Sequence, residues 1–540
     1  MHIRINTKVI RNILLIFFLG VIVILNLSSI RHKTLTYDEK EHYRYGLQML
    51  EFNSNRFDDS KMPFSAVNAV PHKTGDLLKN IIKSQRFSDF LYKLNAARFM
   101  TVLFSLLLAG FVFRWTEELY GTVPGFFSLF LYTFSPNIIA HSRLVTTDLY
   151  AACMVTISLY FFWKFLKFGG LKKGVLSAVT LGLSQLAKYT CVYLYPIFAW
   201  ILIIRYWRVL SRMVKERDIE GIKRSLKASG KYLLLFIAVI ILVVNTGFLF
   251  NRAFTSLDEY SFRSGLFKAV QSLPVLKDIP IPLPYPYIEG LDWVKTNEET
   301  GETFGNIYLF GDLRRTDKEF KGFKGYFFYA FLYKVPISVQ VFIFFALVMY
   351  VVDYKKFNFM EDELFLLCPI IFFAVYFNFF YKAQIGIRHI LVCFPLLFVF
   401  CGSLVKKYTE FGLGSKCAVV LLMVWLVVSV LSYFPHYISY FNELVWDRKK
   451  AYEILADSNV DWGQNKWYLT QYIKENPDVH VSPPAPRAGR VVVSVNELTG
   501  VLNPGRYRWL RENFEPVDHI AYSYLVYNVS PEALKDIGNR

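Results

Sequence analysis

Ile13-Leu14-Leu15-Ile16-Phe17-Phe18-Leu19-Gly20-Val21-Ile22-Val23-Ile24-Leu25-Asn26-Leu27, followed shortly by Thr36-Tyr37-Asp38-Glu39-Lys40-Glu41-His42, decides how this chain is read. With its flanks the apolar run approaches the about 20 residues that a membrane helix requires. Carboxylates at the mouth of a membrane bundle are costly unless they meet something polar. Asp58-Asp59-Ser60-Lys61-Met62-Pro63 follows in the same hydrophilic segment. The pattern points to chemistry at a membrane surface, on a substrate that is partly lipid.

The rest of the chain repeats the apolar theme. Of 540 residues, 54% are hydrophobic, 18% aromatic and only 19% charged, which indicates a polytopic membrane protein rather than a string of soluble domains. A mean hydropathy of +0.31 agrees. The net charge of +18 sits in short loops between apolar runs. Positive-inside topology explains that distribution better than a nucleic-acid face, and no nucleic-acid motif occurs. The six cysteines fall inside or at the edges of apolar runs without C-x-x-C spacing, so they read as small buried hydrophobes. Arg4, Lys8 and Arg11 precede the first run, no A-x-A-like cleavage site follows, and an uncleaved first span is expected.

Apolar runs of near-spanning length lie at 10–30, 95–114, 122–140, 148–167, 172–188, 190–205, 231–250, 329–352, 363–381, 387–405 and 416–434. The expectation is therefore about eleven transmembrane helices in a module covering 1–434. Lysines and arginines concentrate in loops 114–121, 164–173, 205–231, 353–362 and 405–416. That bias predicts a cytoplasmic N-terminus and an extracytoplasmic C-terminus. Three hydrophilic segments, 31–94, 251–328 and 435–540, then share the outer side. The first is expected to carry two amphipathic helices, with stripes at Tyr43, Leu47 and Leu50 and at Leu77, Leu78, Ile81 and Ile82. In the second, Pro274, Pro280, Pro282, Pro284 and Pro286 are expected to break any long helix. The third reads as a small α/β domain, with strands at Arg490–Val495 and Ile520–Tyr527, a turn at Asn503-Pro504-Gly505 and a helix from about Tyr507.

Candidate chemistry gathers at the outer ends of the spans. Asp38 suits a helix N-cap, and equally a general base that takes a proton from an acceptor hydroxyl, its basicity raised by partial desolvation. Lys61 either snorkels to the headgroups or holds a phosphate as a point charge. Arg388, beside His389, is either a snorkelling anchor or a planar fork for a phosphate. Arg143 and Asp148 share another outer loop and either pair with each other or help shape a site. Acids and cations on one side of a membrane are what transfer from a lipid-linked phosphate donor requires. Hydrolase triad and P-loop motifs are absent from the sequence.

These residues resemble a known group, the GT-C glycosyltransferases of the protein O-mannosyltransferase and aminoarabinose transferase superfamily, in particular its bacterial branch. Asp38-Glu39 with His42 and Gly46 looks like the first-loop acidic motif. Asp59 to Phe64 is similar to a segment reading H-P-P-L or K-P-P-L in relatives, with Met62 in place of the first proline. Ser135-Pro136-Asn137 through Arg143, Thr146-Thr147-Asp148, and Gly386-Ile387-Arg388-His389 with Pro395 fit further motifs. The most distinctive blocks are Tyr440-Phe441-Asn442-Glu443-Leu444 and Asp457-Ser458-Asn459-Val460-Asp461-Trp462-Gly463-Gln464. The second block also reads as a dock for the C-terminal domain.

The resemblance implies a GT-C fold and an inverting transfer from a polyprenyl-phosphate sugar to a protein, lipid or glycan hydroxyl at the outer face of a bacterial inner membrane. It implies Asp38 as base, with Glu39 supporting it or contacting sugar. Lys61, Arg388 and Arg143 are assigned to the donor phosphate, and His42, Asp148, His389 and Asp461 to substrate. Some relatives hold a divalent metal near the first loop. No firm ligand set is evident here, and His42, Asp58 and Asp59 are the residues to test. The rival class is a transporter or flippase of a lipid-linked sugar, which usually shows internal repeats and broken midplane helices. Neither is evident in the sequence.

Overall fold

The computed structural model describes residues 7–53, 60–79, 85–301, 305–314, 321–406 and 408–538. Each of the eleven apolar runs carries helix. Among the described residues, six helices are long and apolar enough to cross a membrane: Lys8–Ile30, Leu94–Tyr120, Asp148–Phe168, Tyr189–Val209, Ile219–Gly247 and Leu413–Leu431. A seventh crossing arises if Tyr326–Lys334 and Ile337–Val352, bent by 115°, count as one span. This count does not show eleven spans: other runs carry shorter apolar helices, such as Thr122–Thr133, Leu364–Phe379 and Cys393–Val405. The 122–140 run shows why. Ser135 accepts a hydrogen bond from the Ile138 N–H and Pro136 opens a new helix, so one apolar run becomes two pieces.

Outward faces are apolar, as lipid contact requires. Ile16 is 69% exposed, Leu234 70% and Leu421 68%, on three different spanning helices. The interior is closed by large rings such as Trp115, Tyr160 and Trp163. At the bent pair, Val335 is extended ahead of Pro336, as the residue before proline prefers. The break frees carbonyls that lipid cannot satisfy. Asn442 satisfies them. Its Nδ2 donates to the Leu332 and Val335 carbonyls at 2.6 and 2.7 Å, and its backbone N–H donates to the Tyr333 carbonyl at 2.9 Å.

The first hydrophilic segment holds the helices Glu39–Leu50 and Ser65–Leu78. Their packing differs from the expected stripes. His42, Tyr45, Gly46 and Met49 are buried, whereas Leu77 is 78% exposed. Gly46 sets this register, because a Cβ there would overlap the Ser65 carbonyl of the neighbouring helix. Ile81 and Ile82 lie outside the described residues. The second segment does contain a 16-residue helix, Tyr285–Thr300. Pro286 sits in its first turn, where no intrahelical N–H is needed, so the prolines start this helix rather than prevent it. A short hairpin follows, β1 (Ile307–Leu309) and β2 (Asp312–Arg314).

The C-terminal sheet has β3 (His480–Val481), β4 (Gly489–Ser494), β5 (Asp518–Ile520) and β6 (Tyr524–Val529) in the order β3-β4-β6-β5. The strand expected over Ile520–Tyr527 is broken by a turn at 521–523, so that Ile520 ends β5 and Tyr524 begins β6, with Ala521 and Tyr522 at positive φ. Strand alternation sends Val491 and Val493 into the main core and Val492 to a second cluster with Val526, against Tyr468 and Leu469. The sheet is thus continuous with the packing of the bundle.

Candidate active site

Asp38 and Glu39 are adjacent in sequence and opposite in surroundings. Glu39 is fully buried and takes a two-pronged ion pair from Arg98, Nε to Oε1 at 2.8 Å and Nη2 to Oε2 at 2.6 Å. It also accepts from the Thr36 and Val145 N–H groups. Each of its oxygens has two donors, so it acts as a pillar rather than a proton acceptor. Arg98 extends the pillar by donating to the Lys33 and Thr34 carbonyls. Its signal in the sequence was a lone charge at the start of an apolar run.

Asp38 occupies the N-cap position of the Glu39–Leu50 helix, but its side chain makes no capping bond. Its Oδ2 accepts from Arg388 Nη1 at 2.8 Å, across 350 positions of chain, and the side chain stays 35% exposed. Burial tends to raise the carboxyl pKa, but the Arg388 guanidinium outweighs it, helped by His42 and Lys61. The result lies below the usual carboxylate value. This corrects the expectation that desolvation would make Asp38 a stronger base. In this state its proton affinity is reduced.

Arg388 is the hub. Nη1 also lies 3.8 Å from Asp148, whose other oxygen takes 2.6 Å from Lys188 Nζ. Its guanidinium carbon stands 4.0 Å from the centre of the Trp462 ring. Its Nε is buried without a hydrogen-bond partner among the described residues. Sequence reasoning did not single out Lys188. Its short bond to an acid that also faces Arg388 makes it part of the site.

The remaining candidates divide. Lys61 Nζ donates to Ser60 at 2.9 Å and contributes to the field at Asp38. Its loop is anchored by buried Met62 and by the Phe64 N–H on the Leu186 carbonyl, two residues before Lys188. His42 is buried beside Ser65, with Nδ1 to Oγ at 3.0 Å. His389 Nδ1 meets the Tyr381 hydroxyl at 3.2 Å, and Tyr381 also lines a cavity of 1040 Å³ together with Arg314, Lys382 and Gln384. Arg143 does not pair with Asp148. It is buried and donates to the Ser29 and Pro435 carbonyls, which ties the first span to the chain after the last one.

The block at 457–464 is the scaffold. Backbone bonds join Thr34 to Gln464 at 3.1 Å and Tyr37 to Trp462 at 3.2 Å, fixing the segment that leads into Asp38. Asn459 Oδ1 accepts from the Ile387 N–H at 3.0 Å, and Ser458 Oγ donates to the Ile385 carbonyl, fixing the loop that carries Arg388. Asp461 Oδ1 takes the Gly463 N–H at 3.0 Å and holds the turn. Burial raises its pKa to about 6 and that of Asp457 to about 7. Among the described residues no group of three His, Cys, Asp or Glu side chains has the arrangement of a metal site. Asp58 and Asp59 lie outside those residues.

Comparison with known proteins bears on the same groups. Residues 90–216 match the family of dolichyl-phosphate-mannose-protein mannosyltransferases. That segment contributes Arg98, Arg143, Asp148 and Lys188, and the chain is accordingly a membrane glycosyltransferase, as expected. Solved structures similar to the chain include ArnT from Cupriavidus metallidurans bound to undecaprenyl phosphate, at 11% identity and a TM-score of 0.46, covering 95% of this chain and 97% of that one. Another is the oligosaccharyltransferase AglB from Archaeoglobus fulgidus with an inhibitory peptide and a dolichol-phosphate. It has 15% identity and a TM-score of 0.47, and covers 87% of this chain and 58% of that one. No curated protein sequence matches the chain.

Proposed function

We propose that the protein is an inverting glycosyltransferase that moves a sugar from a polyprenyl phosphate to a hydroxyl acceptor on the outer face of the membrane. The observation that carries this reading is the meeting of Asp38, Arg388, Asp148 and Lys188, drawn from four distant parts of the chain, with Lys61 close by. In the reaction the acceptor oxygen bonds to the anomeric carbon while the bond from that carbon to the phosphate oxygen breaks. Polyprenyl phosphate leaves, and Asp38 takes the hydroxyl proton. Arg388, Lys188 and Lys61 balance the charge that grows on the departing phosphate.

The ion pair gives the order of events. With no donor bound, Asp38 holds Arg388 and is a poor base. A donor phosphate competes for the guanidinium, and Asp38 regains basicity as that contact weakens. His42, His389 and Asp461 line or brace the substrate site in this reading, and Glu39 supports Asp38 through the backbone. The division into a membrane module (1–434) and an outer α/β domain (435–540), the eleven crossings of a GT-C fold and the cytoplasmic N-terminus belong to the same proposal.

The test is transfer of radiolabelled sugar from a polyprenyl-phosphate donor by purified protein in proteoliposomes. Asp38→Asn is expected to abolish transfer while the protein stays folded and inserted. Normal turnover in that variant removes Asp38 from the mechanism. Movement of donor across the bilayer without glycosidic product replaces the enzyme with a lipid-linked sugar transporter.

A further inference from the structure

Far from the Arg388 hub, a second cavity of 530 Å³ lies between the start of the Leu171–Gln185 helix and the Ile219–Gly247 helix. Arg224, Lys227 and Lys231 line it, spaced three and four residues apart on one helical face. Tyr232 and Leu235 continue the lining, and Leu171 closes it from the other helix. From Tyr232 to Val244 the sequence has no charge. One stripe therefore passes from cations to hydrocarbon within three turns, at the place where a candidate span begins.

The cavity has a built floor. The Tyr232 ring packs edge-on against Phe165 at 4.8 Å, and a Cβ at Gly174 would stand 3.2 Å from it, so two helices hold the ring in place. Lys227 and Lys231 have no hydrogen-bond or ion-pair partner among the described residues, and Arg224 meets only the Glu220 carbonyl, at 3.4 Å. Gly170, the N-cap of the facing helix, offers no side-chain cap, so that helix adds its positive end. Three cations above an apolar floor match the phosphate and acyl chain of one amphiphile.

We infer that this cavity binds the headgroup of an anionic membrane phospholipid, with Arg224, Lys227 and Lys231 on the phosphate and the acyl chain along Tyr232 and Leu235. The site is independent of the transfer chemistry.

The experiment titrates purified full-length protein in micelles with phosphatidylglycerol or phosphatidylcholine of matched acyl chains and counts retained lipids by native mass spectrometry. Wild type is expected to retain phosphatidylglycerol in preference to phosphatidylcholine. Arg224→Gln/Lys227→Gln/Lys231→Gln should weaken phosphatidylglycerol retention by about a hundredfold and abolish the preference. Arg208→Gln/Arg212→Gln/Lys215→Gln removes the same charge outside the cavity and should leave the preference intact. Equal loss in both variants would reduce the effect to net charge, and unchanged retention in the first would empty the site; either overturns the inference. Lys231→Gln alone, at about a fivefold loss, serves if the triple variant fails to fold.

Discussion

The central guanidinium carbon of Arg388 stands 4.0 Å from the centre of the Trp462 ring, while its Nη1 reaches Asp38. The indole is almost fully buried. It limits where the guanidinium can go when a phosphate draws it from Asp38. A buried cation–π contact contributes about 2 kcal/mol. Trp462→Ala should therefore cut kcat/KM for the donor by about tenfold to thirtyfold, chiefly through KM. Trp462→Phe should retain most activity, as steady-state kinetics across donor concentrations will report.

Glu39 and Asp38 should separate cleanly on mutation. Breaking one side of a buried ion pair costs about 3–5 kcal/mol. Glu39→Gln and Arg98→Met should each lower the thermal unfolding midpoint strongly and remove activity through loss of fold. Combining them should cost less than the sum of the two. Asp38→Asn should lower the midpoint far less than Glu39→Gln, because Asp38 is part-exposed and Arg388 keeps Asp148 nearby, and should lose transfer. The comparison needs a thermal-shift assay in detergent beside the transfer assay.

Two buried acids should each contribute less stability as pH rises from about 4 to about 7. Asp457 and Asp461 carry pKa values raised by burial, to about 7 and about 6, from about 3.8 in the unfolded chain. A raised folded pKa gives stability that is complete below the unfolded value and is lost as pH rises through the folded one. Asp38 runs the other way. Its lowered pKa gives stability that disappears only below the ordinary carboxylate range, outside this window. His436 and His519, whose pKa values burial lowers, pull the midpoint the other way in this window, so the test is a difference: relative to wild type, Asp457→Asn should gain thermal midpoint as pH rises from about 4 to about 7.

Asn442→Ala should destabilise the bundle at the bent pair. It leaves the Leu332 and Val335 carbonyls short of a donor, although Gln340 Nε2 still reaches both at 2.8 Å. Each carbonyl keeps its Gln340 bond, so the loss is two hydrogen bonds at about 0.5–1.5 kcal/mol each. The expected result is a lower thermal midpoint with catalysis per folded molecule preserved, read from active-site titration against the amount of folded protein.

Gly46→Ala should force the two helices of the first hydrophilic segment apart, because the added carbon meets the Ser65 backbone rather than a movable side chain. His42 sits one turn away on the same face. Both thermal stability and the donor KM should therefore suffer. A variant with unchanged values in both assays would show that this contact is loose.

How much of this was legible in the sequence depends on the range of the interaction. Apolar runs announced helices because their signal is local. Their lengths were less readable, since Ser135-Pro136 and Val335-Pro336 end helices inside runs that look continuous. Asp38 and Arg388 could be picked out as polar groups in costly places, but their bond joins positions 350 apart and no local pattern carries it. Arg143 shows the converse. An arginine in an outer loop suggested a phosphate ligand, and only the fold reveals that its donors serve the Ser29 and Pro435 carbonyls. For Glu39 the sequence offered support of Asp38 or contact with sugar, and its partner Arg98 is visible only in the tertiary packing. Gly46 was visible as a motif residue, but its reason, the nearness of Ser65, was not.

The segment from Asp457 to Gln464 grips the approach to Asp38 with one hand and the Arg388 loop with the other. Both reactive partners are translated before it. An unfinished polypeptide still on the ribosome therefore lacks the clasp that aligns them. During its own insertion the membrane portion of the chain lacks this alignment, which arises only when residues 457–464 have emerged and docked.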